Sequence, residues 1–374
     1  MAGPLAGVRV VEIAGIGPGP FCATMLADMG ADIVRIGRKN ADDKVANGRR
    51  MSDRIGRTID IDLKKEGASA LVLRLLAKAD VLIEGFRPGV MERLGLGPEV
   101  CLEHNPLLIY GRMTGWGQTG PLAKSAGHDI NYIAISGALA AIGREDEGPV
   151  PPLNLIGDFG GGGMVLAFGI ACALFEAQKY GRGQVIDAAM SDGAAMLMAP
   201  IYSHYATGRW VNTRQSNLLD GGAHFYSAYK CADGKWIAVG ALEPQFYALL
   251  LDKLGVEASE FQPQHDRQHW PAWRKRFAEI FASKPSEVWC SLMEGTDVCF
   301  APVLDLSEAP NHPHNIERST FADIDGRRMP APVPRFDRSV PTIRERQSYS
   351  NRDILSDYDI PVGIVADAIS KGIL

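Results

Sequence analysis

Two periods of hydrophobic and polar positions alternate along the first third of this chain. Residues 8–15, "VRVVEIAG", form a short β-branched run; 21–30, "FCATMLADMG", have helical spacing; 31–38, "ADIVRIGR", are β-rich again. Strand, helix and strand in that order predict a βαβ unit. In "RTIDIDLK" the apolar Ile59, Ile61 and Leu63 alternate with Asp60, Asp62 and Lys64, the period of a half-buried strand. An amphipathic stretch "GASALVLRLLAKA", a strand "DVLIEGF", a short helix "GVMERLG" and a strand "LLIYGRMTGWG" follow. The pattern predicts an α/β fold: a Rossmann-like large domain whose mostly parallel sheet carries helices on both faces.

Further on, "FGGGGMVLAFGIACALFEAQKYGRG" predicts a long helix entered through glycines and ended by Gly181 and Gly183. Polar residues then dominate 201–220, which suggests a linker. From 221 the texture changes. "HFYSAYKCADGKWIAVGAL" predicts a hairpin around Ala-Asp-Gly, with helices rich in Trp and Phe behind it. The expected division is a large domain over 1–200, a linker over 201–220, a smaller α+β domain over 221–305, and a return segment with a C-terminal tail over 306–374.

Composition narrows the function classes. The 374 residues carry a net charge of −5 with 22% charged positions of both signs, so no basic field marks a nucleic-acid binder. Six cysteines lack zinc spacing and read as small hydrophobes in a reducing compartment. The N-terminus has no signal-peptide pattern, the apolar runs read as too short for a membrane span, and the chain ends "KGIL". A soluble, cytoplasmic protein with no membrane and no nucleic-acid partner is the expectation.

Chemistry enters at three places. "AGIGPGPF" does not give the dinucleotide spacing G-x-G-x-x-G, because Pro20 and Cys22 stand where a third glycine is needed. Arg38, ending the second strand, suits a ribose phosphate, whether on NADP or on a nucleotide without nicotinamide such as coenzyme A. Arg49, Arg50, Arg54, Arg57, Lys64, Arg87 and Arg93 lie on successive βα segments, modest support for a phosphate-rich ligand.

The second place is His128 in "AGHDINYIAISG", with Asp129 beside it to orient the ring or to cap a helix. The third is Asp158 in "LIGDFGGGGMVL". An ordinary cap needs none of Gly160–Gly163, whereas bare backbone admits a ligand and helix N–H groups stabilise an oxyanion. An imidazole, ordinarily near ~6.5, is poised for proton transfer. A carboxylate, ordinarily near ~3.9, would need raising by burial. From the residues alone this is a carboxylate/imidazole enzyme, with proton transfer as its candidate chemistry.

"VVEIAGIGPGPFCATMLADMGADIVRI", "AGHDINYIAISG", "PLNLIGDFGGGG", "GRGQVIDAAM", "LLDGGAHFY" and "VGALEPQFY" occur in this order between residues 10 and 247, within a resemblance that runs over about residues 5–335. Jointly they resemble the α-methylacyl-CoA racemases of the family III CoA-transferase superfamily. The resemblance implies an interlocked homodimer and epimerisation at C2 of a 2-methyl-branched acyl-CoA thioester through an enolate. It implies no cofactor, coenzyme A being part of the substrate. By motif it makes His128 the base for the (S)-thioester and Asp158 the base for the (R)-thioester, with Asp129 and Tyr132 supporting. Glu243 would hydrogen-bond the histidine across the dimer. Arg38, Asp62, Leu63, Lys64, Gly85, Phe86, Arg87 and Arg93 would contact coenzyme A, together with Gly127, Gly157, Gly160 and Gly161. Gly37 and Lys39 depart from the pattern around Arg38. The competing readings are a CoA transferase with Asp158 as covalent nucleophile, and a non-catalytic acyl-CoA or nucleotide binder.

Overall fold

A computed structural model describes residues 3–37, 57–324, 326–343 and 349–374. Arg38, Lys39, Arg49, Arg50 and Arg54 lie outside them. The chain divides into two compact units. Unit 1 takes in residues 1–137, 152–198 and 332–374; unit 2 takes in 138–151 and 199–331. Residues 201–220 are therefore part of a compact unit rather than a spacer. Their polarity has a local reason. Buried Asn217 donates to the carbonyls of Val211 and Thr213 and accepts from Val211 N–H, while Asp220 accepts from the N–H groups of Ser216, Asn217 and Gly222.

Unit 1 is built on a six-stranded sheet, ordered β3-β2-β1-β4-β5-β6, with every pairing parallel. The strands are β1 Arg9–Ile13, β2 Asp32–Gly37, β3 Arg57–Asp60, β4 Val81–Glu84, β5 Ile109–Thr114 and β6 Gln184–Ala189. Alternate residues face opposite ways. Val11, Val34, Leu82 and Tyr110 enter one apolar core; Val10, Ile33, Val81 and Ile109 enter the other. The first core is closed by helix Ala68–Leu76 and by the C-terminal tail, whose Ile354, Leu355, Val365 and Ile373 are buried in it. The second is closed by helices Pro18–Asp28 and Val165–Tyr180. The α/β expectation holds here, and the tail is structural. The strand order reverses between β1 and β4, which places the crevice used by ligands of such sheets beyond the C-terminal ends of these two strands.

Arg57 is not part of a phosphate-facing cluster. It is 7% exposed and pairs at 2.6 Å with both Asp32 and Asp357, tying the edge strand to the C-terminal helix Asn351–Asp357. The long glycine-entered helix also differs from expectation. Leu155–Met164 is π-helical and runs on into the α-helix Val165–Tyr180, which Gly181 ends at φ 71°. Together they make 26 continuous residues, long and apolar enough by length and composition to cross a membrane. The shorter apolar span read from the sequence omitted the glycine-rich turns. One face of this helix is core, through Leu166, Ala167, Ile170 and Ala173, while Met164, Phe168 and Phe175 are exposed.

Unit 2 carries an antiparallel sheet, β7 Tyr226–Lys230, β8 Trp236–Gly240 and β9 Phe300–Val303. Helices Pro244–Leu254, Trp270–Phe281 and Ser286–Met293 complete its core. A second hairpin pairs β10 Phe321–Ile324 with β11 Arg327–Pro330. At the centre of the aromatic core lies His224, with no exposed surface. The rings of Phe225, Tyr247, Trp273 and Phe277 stand edge-on to it. Tyr247 donates its hydroxyl proton to Phe261 O, so the ring proton sits on His224 Nε2, 2.6 Å from the Tyr247 oxygen. Nδ1 has no partner among the described residues. Burial lowers the imidazole pKa from 6.5 to about 3.

Unfolded chain therefore takes up a proton below about pH 6.5 that the folded unit refuses, so stability falls with pH across that window. We expect a loss on the order of 3 kcal/mol between pH 7 and pH 4 from this residue. Urea unfolding at the two pH values checks it. In His224→Phe, which leaves the Tyr247–Phe261 hydrogen bond in place, the pH dependence should shrink by that amount.

Candidate active site

The site residues of unit 1 collect beyond the C-terminal ends of β1, β4 and β5. Helix Asp129–Ile135 begins at His128, whose N–H donates to Asn131 Oδ1 at 3.0 Å. Its side chain is exposed, whereas Asp129 is buried. Asp129 does not cap its own helix, whose cap position is His128. Its Oδ2 accepts the backbone N–H of Asp158 at 2.8 Å, joining the two predicted acid/base segments directly. Oδ1 of Asp129 is buried and has no partner among the described residues.

Asp158 is not a helix cap either. The cap position belongs to Asn154, and Asp158 sits inside the first π turn. Such turns are rare and recur at functional sites. Asn154 Nδ2 donates to Asp158 Oδ2 at 3.0 Å. Burial raises the Asp158 pKa; the Asn154 hydrogen bond opposes this, the charge of Asp129 adds to it, and His128 opposes it. Because its own N–H is held by Asp129, that amide is not a free oxyanion donor.

Tyr132 donates to Gly127 O and stands edge-on to Trp116, with ring centres 4.7 Å apart. This pair fixes the backbone just before His128. Burial raises the Tyr132 pKa, with a further push from Asp158 and an opposing pull from Arg87.

The glycines are largely accounted for by the protein itself. A Cβ on Gly157 would lie 2.5 Å from Asp129 Oδ2, and one on Gly127 2.8 Å from the Tyr132 ring. A Cβ on Gly161 would lie 2.5 Å from Ala194 N, and one on Gly160 3.1 Å from Leu155 O. Gly17, at φ +69° ahead of helix Pro18–Asp28, places its backbone so close that a Cβ would meet Asp158 Oδ2 at 3.2 Å. Nothing in the spacing of "AGIGPGPF" signals this role, because the chain from Gly17 to Asp158 spans strands β2 to β5 of the first sheet.

Beside these groups, a cleft of about 430 Å³ is lined by Arg87, Pro88, Gly89, Val90, Arg93 and Lys124. Three cations on one cleft suit an anionic, phosphate-bearing ligand. Lys124 was not foreseen: it lies in a turn 31 residues past Arg93 in sequence, and no spacing rule links the two. Gly85 and Phe86 precede the cleft on the same loop. Asp62, Leu63 and Lys64 form the turn after β3, where Asp62 Oδ1 accepts Lys64 N–H and Asp62 N–H donates to Ile373 O. Glu243 belongs to unit 2, exposed at the start of helix Pro244–Leu254. Met190 is buried in the core and Met196 is 71% exposed.

Residues 5–350 match the sequence profile of CoA-transferase family III. The chain belongs to that family. It is 50% identical over 330 residues to α-methylacyl-CoA racemase of Mus musculus, covering 88% of this chain and 85% of the mouse protein. Over 334 residues it is 46% identical to α-methylacyl-CoA racemase of Homo sapiens, covering 88% and 86%. A crystal structure of a CAIB/BAIF family protein from Brucella suis shares the fold, with a TM-score of 0.81 at 24% identity over 96% of this chain and all of that one.

Proposed function

We propose that this chain interconverts the (R)- and (S)-forms of a 2-methyl-branched acyl-CoA thioester by 1,1-proton transfer. One base takes the C2 proton, the bonding electrons move into the thioester carbonyl as an enolate, and the second group returns a proton to the opposite face. Asp158 serves the (R)-thioester and His128 the (S)-thioester. The observation that carries the reading is the setting of Asp158. It is a half-buried carboxylate with a raised pKa, hydrogen-bonded by Asn154, anchored through its backbone to Asp129 and electrostatically coupled to His128. A raised pKa makes a carboxylate a stronger base, which a carbon acid demands. The names of the mouse and human relatives support the substrate class.

In this reading the cleft of Arg87, Arg93 and Lys124 takes coenzyme A phosphates, with Arg38, Asp62–Lys64, Gly85 and Phe86 along the nucleotide. The acid/base steps call on no metal or redox cofactor. Two copies assemble as a homodimer, so that Glu243 of one supports His128 of the other. The exposed apolar stripe of Met164, Phe168 and Phe175 supports a partner on that face.

A single-enantiomer assay tests the proposal against its nearest rival. Incubation with (R)-2-methylacyl-CoA and a labelled free acid should erase optical purity while leaving coenzyme A on its original acyl group. Transfer of coenzyme A to the labelled acid with optical purity intact would instead identify a transferase, with Asp158 as acyl-anhydride nucleophile.

A further inference from the structure

Beneath the cationic cleft lies a charge network that the acid/base chemistry does not use. Arg112 on β5 stands directly opposite Glu84 on β4. Its Nε donates to Glu84 Oε1 at 2.9 Å, and its Nη1 donates to Glu92 Oε1 at 2.8 Å. The Arg112 and Glu84 side chains are 7% and 0% exposed, while Glu92 is 44% exposed. The guanidinium carbon lies 5.7 Å from the centre of the Tyr110 ring, whose hydroxyl is tied to Leu96 O. The other oxygen of Glu84 accepts the backbone N–H of Phe86 at 2.7 Å. Glu92 in turn belongs to helix Val90–Arg93, directly after the turn Arg87–Gly89. The network therefore holds the cleft-lining segment at both ends. Glu84 fixes the backbone where the loop leaves β4, and Arg112 fixes the helix where the segment finishes.

Buried ion pairs of this kind add little net stability, and apolar residues of the same size often do as well. What a planar, two-armed guanidinium supplies is fixed geometry, which a lysine cannot reproduce. We infer that Arg112 is a positioning residue for coenzyme A. By clamping Glu84 and Glu92, it sets the spacing of Arg87 and Arg93 across the cleft that receives the phosphates. The inference rests on the proposed use of that cleft.

The test uses the full chain and two variants. Glu92→Leu removes one arm at a half-exposed site and leaves the buried Glu84–Arg112 pair intact. Arg112→Lys keeps the charge but reaches one carboxylate only. Calorimetric titration with coenzyme A itself reads the cleft independently of turnover. In both variants Kd for coenzyme A and KM for the acyl-CoA should rise together by about tenfold, with kcat moving less than about twofold. A melting temperature close to that of the unaltered protein in Glu92→Leu separates this from general loosening. Unchanged affinity in Glu92→Leu or in Arg112→Lys would overturn the positioning role. Failure of the unaltered protein to bind coenzyme A would overturn the reading of the cleft, and this inference with it.

Discussion

Asp158→Asn is expected to lower kcat for racemisation by about 10³-fold while leaving the protein folded. The amide keeps the shape and can still meet Asn154 and the surrounding backbone, but it cannot take a proton from carbon. Folding raises the Asp158 pKa through burial. The carboxylate is thus harder to ionise in the folded chain than in the unfolded one, and above the ordinary carboxylate range its burial weakens the fold. Removing the charge should leave the melting temperature unchanged or raise it, as happens where function is held at the expense of stability. In the unaltered protein the same shift has a kinetic signature. In the proposed mechanism the (R)-thioester reacts only with ionised Asp158, so kcat/KM for that enantiomer should fall as pH drops through a value above that of an ordinary aspartate. A pH–rate profile with (R)-substrate checks the direction. Near-full activity in Asp158→Asn would remove the residue from the chemistry.

Gly193→Ala is expected to be the most damaging small substitution in unit 1. Helix Met190–Leu197 packs backbone to backbone on the π turn, and a Cβ on Gly193 would lie 1.8 Å from Gly161 O. Neither partner is a flexible side chain, so the two helices must separate and the Asp158 turn must move with them. We expect a stability loss of roughly 3 kcal/mol or more, together with loss of activity. Gly363→Ala is the matched control. It lies in helix Val362–Ser370 with nothing near the added methyl, and should be neutral or stabilising by about 0.5–1 kcal/mol. Thermal melts of the two variants, measured side by side, decide the point. Equal melting temperatures would mean that the glycine seam is not what holds the turn.

The seam also shows where the sequence was legible and where it was not. The β-branched runs of β1, β2 and β4 revealed parallel strands, because strands covered on both faces need continuous apolar character, while the period of 2 in "RTIDIDLK" marked the half-buried edge strand β3. His128 and Asp158 stood out because each is an ionisable residue beside glycines. Their connection did not. The bond from Asp158 N–H to Asp129 spans 29 positions, and no local pattern encodes it. The glycines after Asp158 were visible but ambiguous. A bare backbone serves a ligand and a neighbouring helix equally well, and here Gly161 faces helix Met190–Leu197. Arg57 was misleading for a related reason. Its partners Asp32 and Asp357 lie 25 and 300 residues away, so the chain displayed a free cation where the fold has a buried ion pair. Lys124 reaches the cleft only because a loop folds back, which places it beyond any motif.

In the proposed reaction two groups act on opposite faces of one carbon, and deuterium reports each face separately. The protein is incubated in heavy water with pure (R)- and pure (S)-2-methylacyl-CoA, and deuterium at C2 is followed together with configuration. With the unaltered protein, deuterium should enter from either enantiomer as configuration is lost. With His128→Ala, inversion should cease, and the (R)-substrate should still acquire deuterium through Asp158 without changing hand, while the (S)-substrate stays unlabelled. Inversion at a normal rate in His128→Ala, or labelling of the (S)-substrate by that variant, would contradict the two-base account.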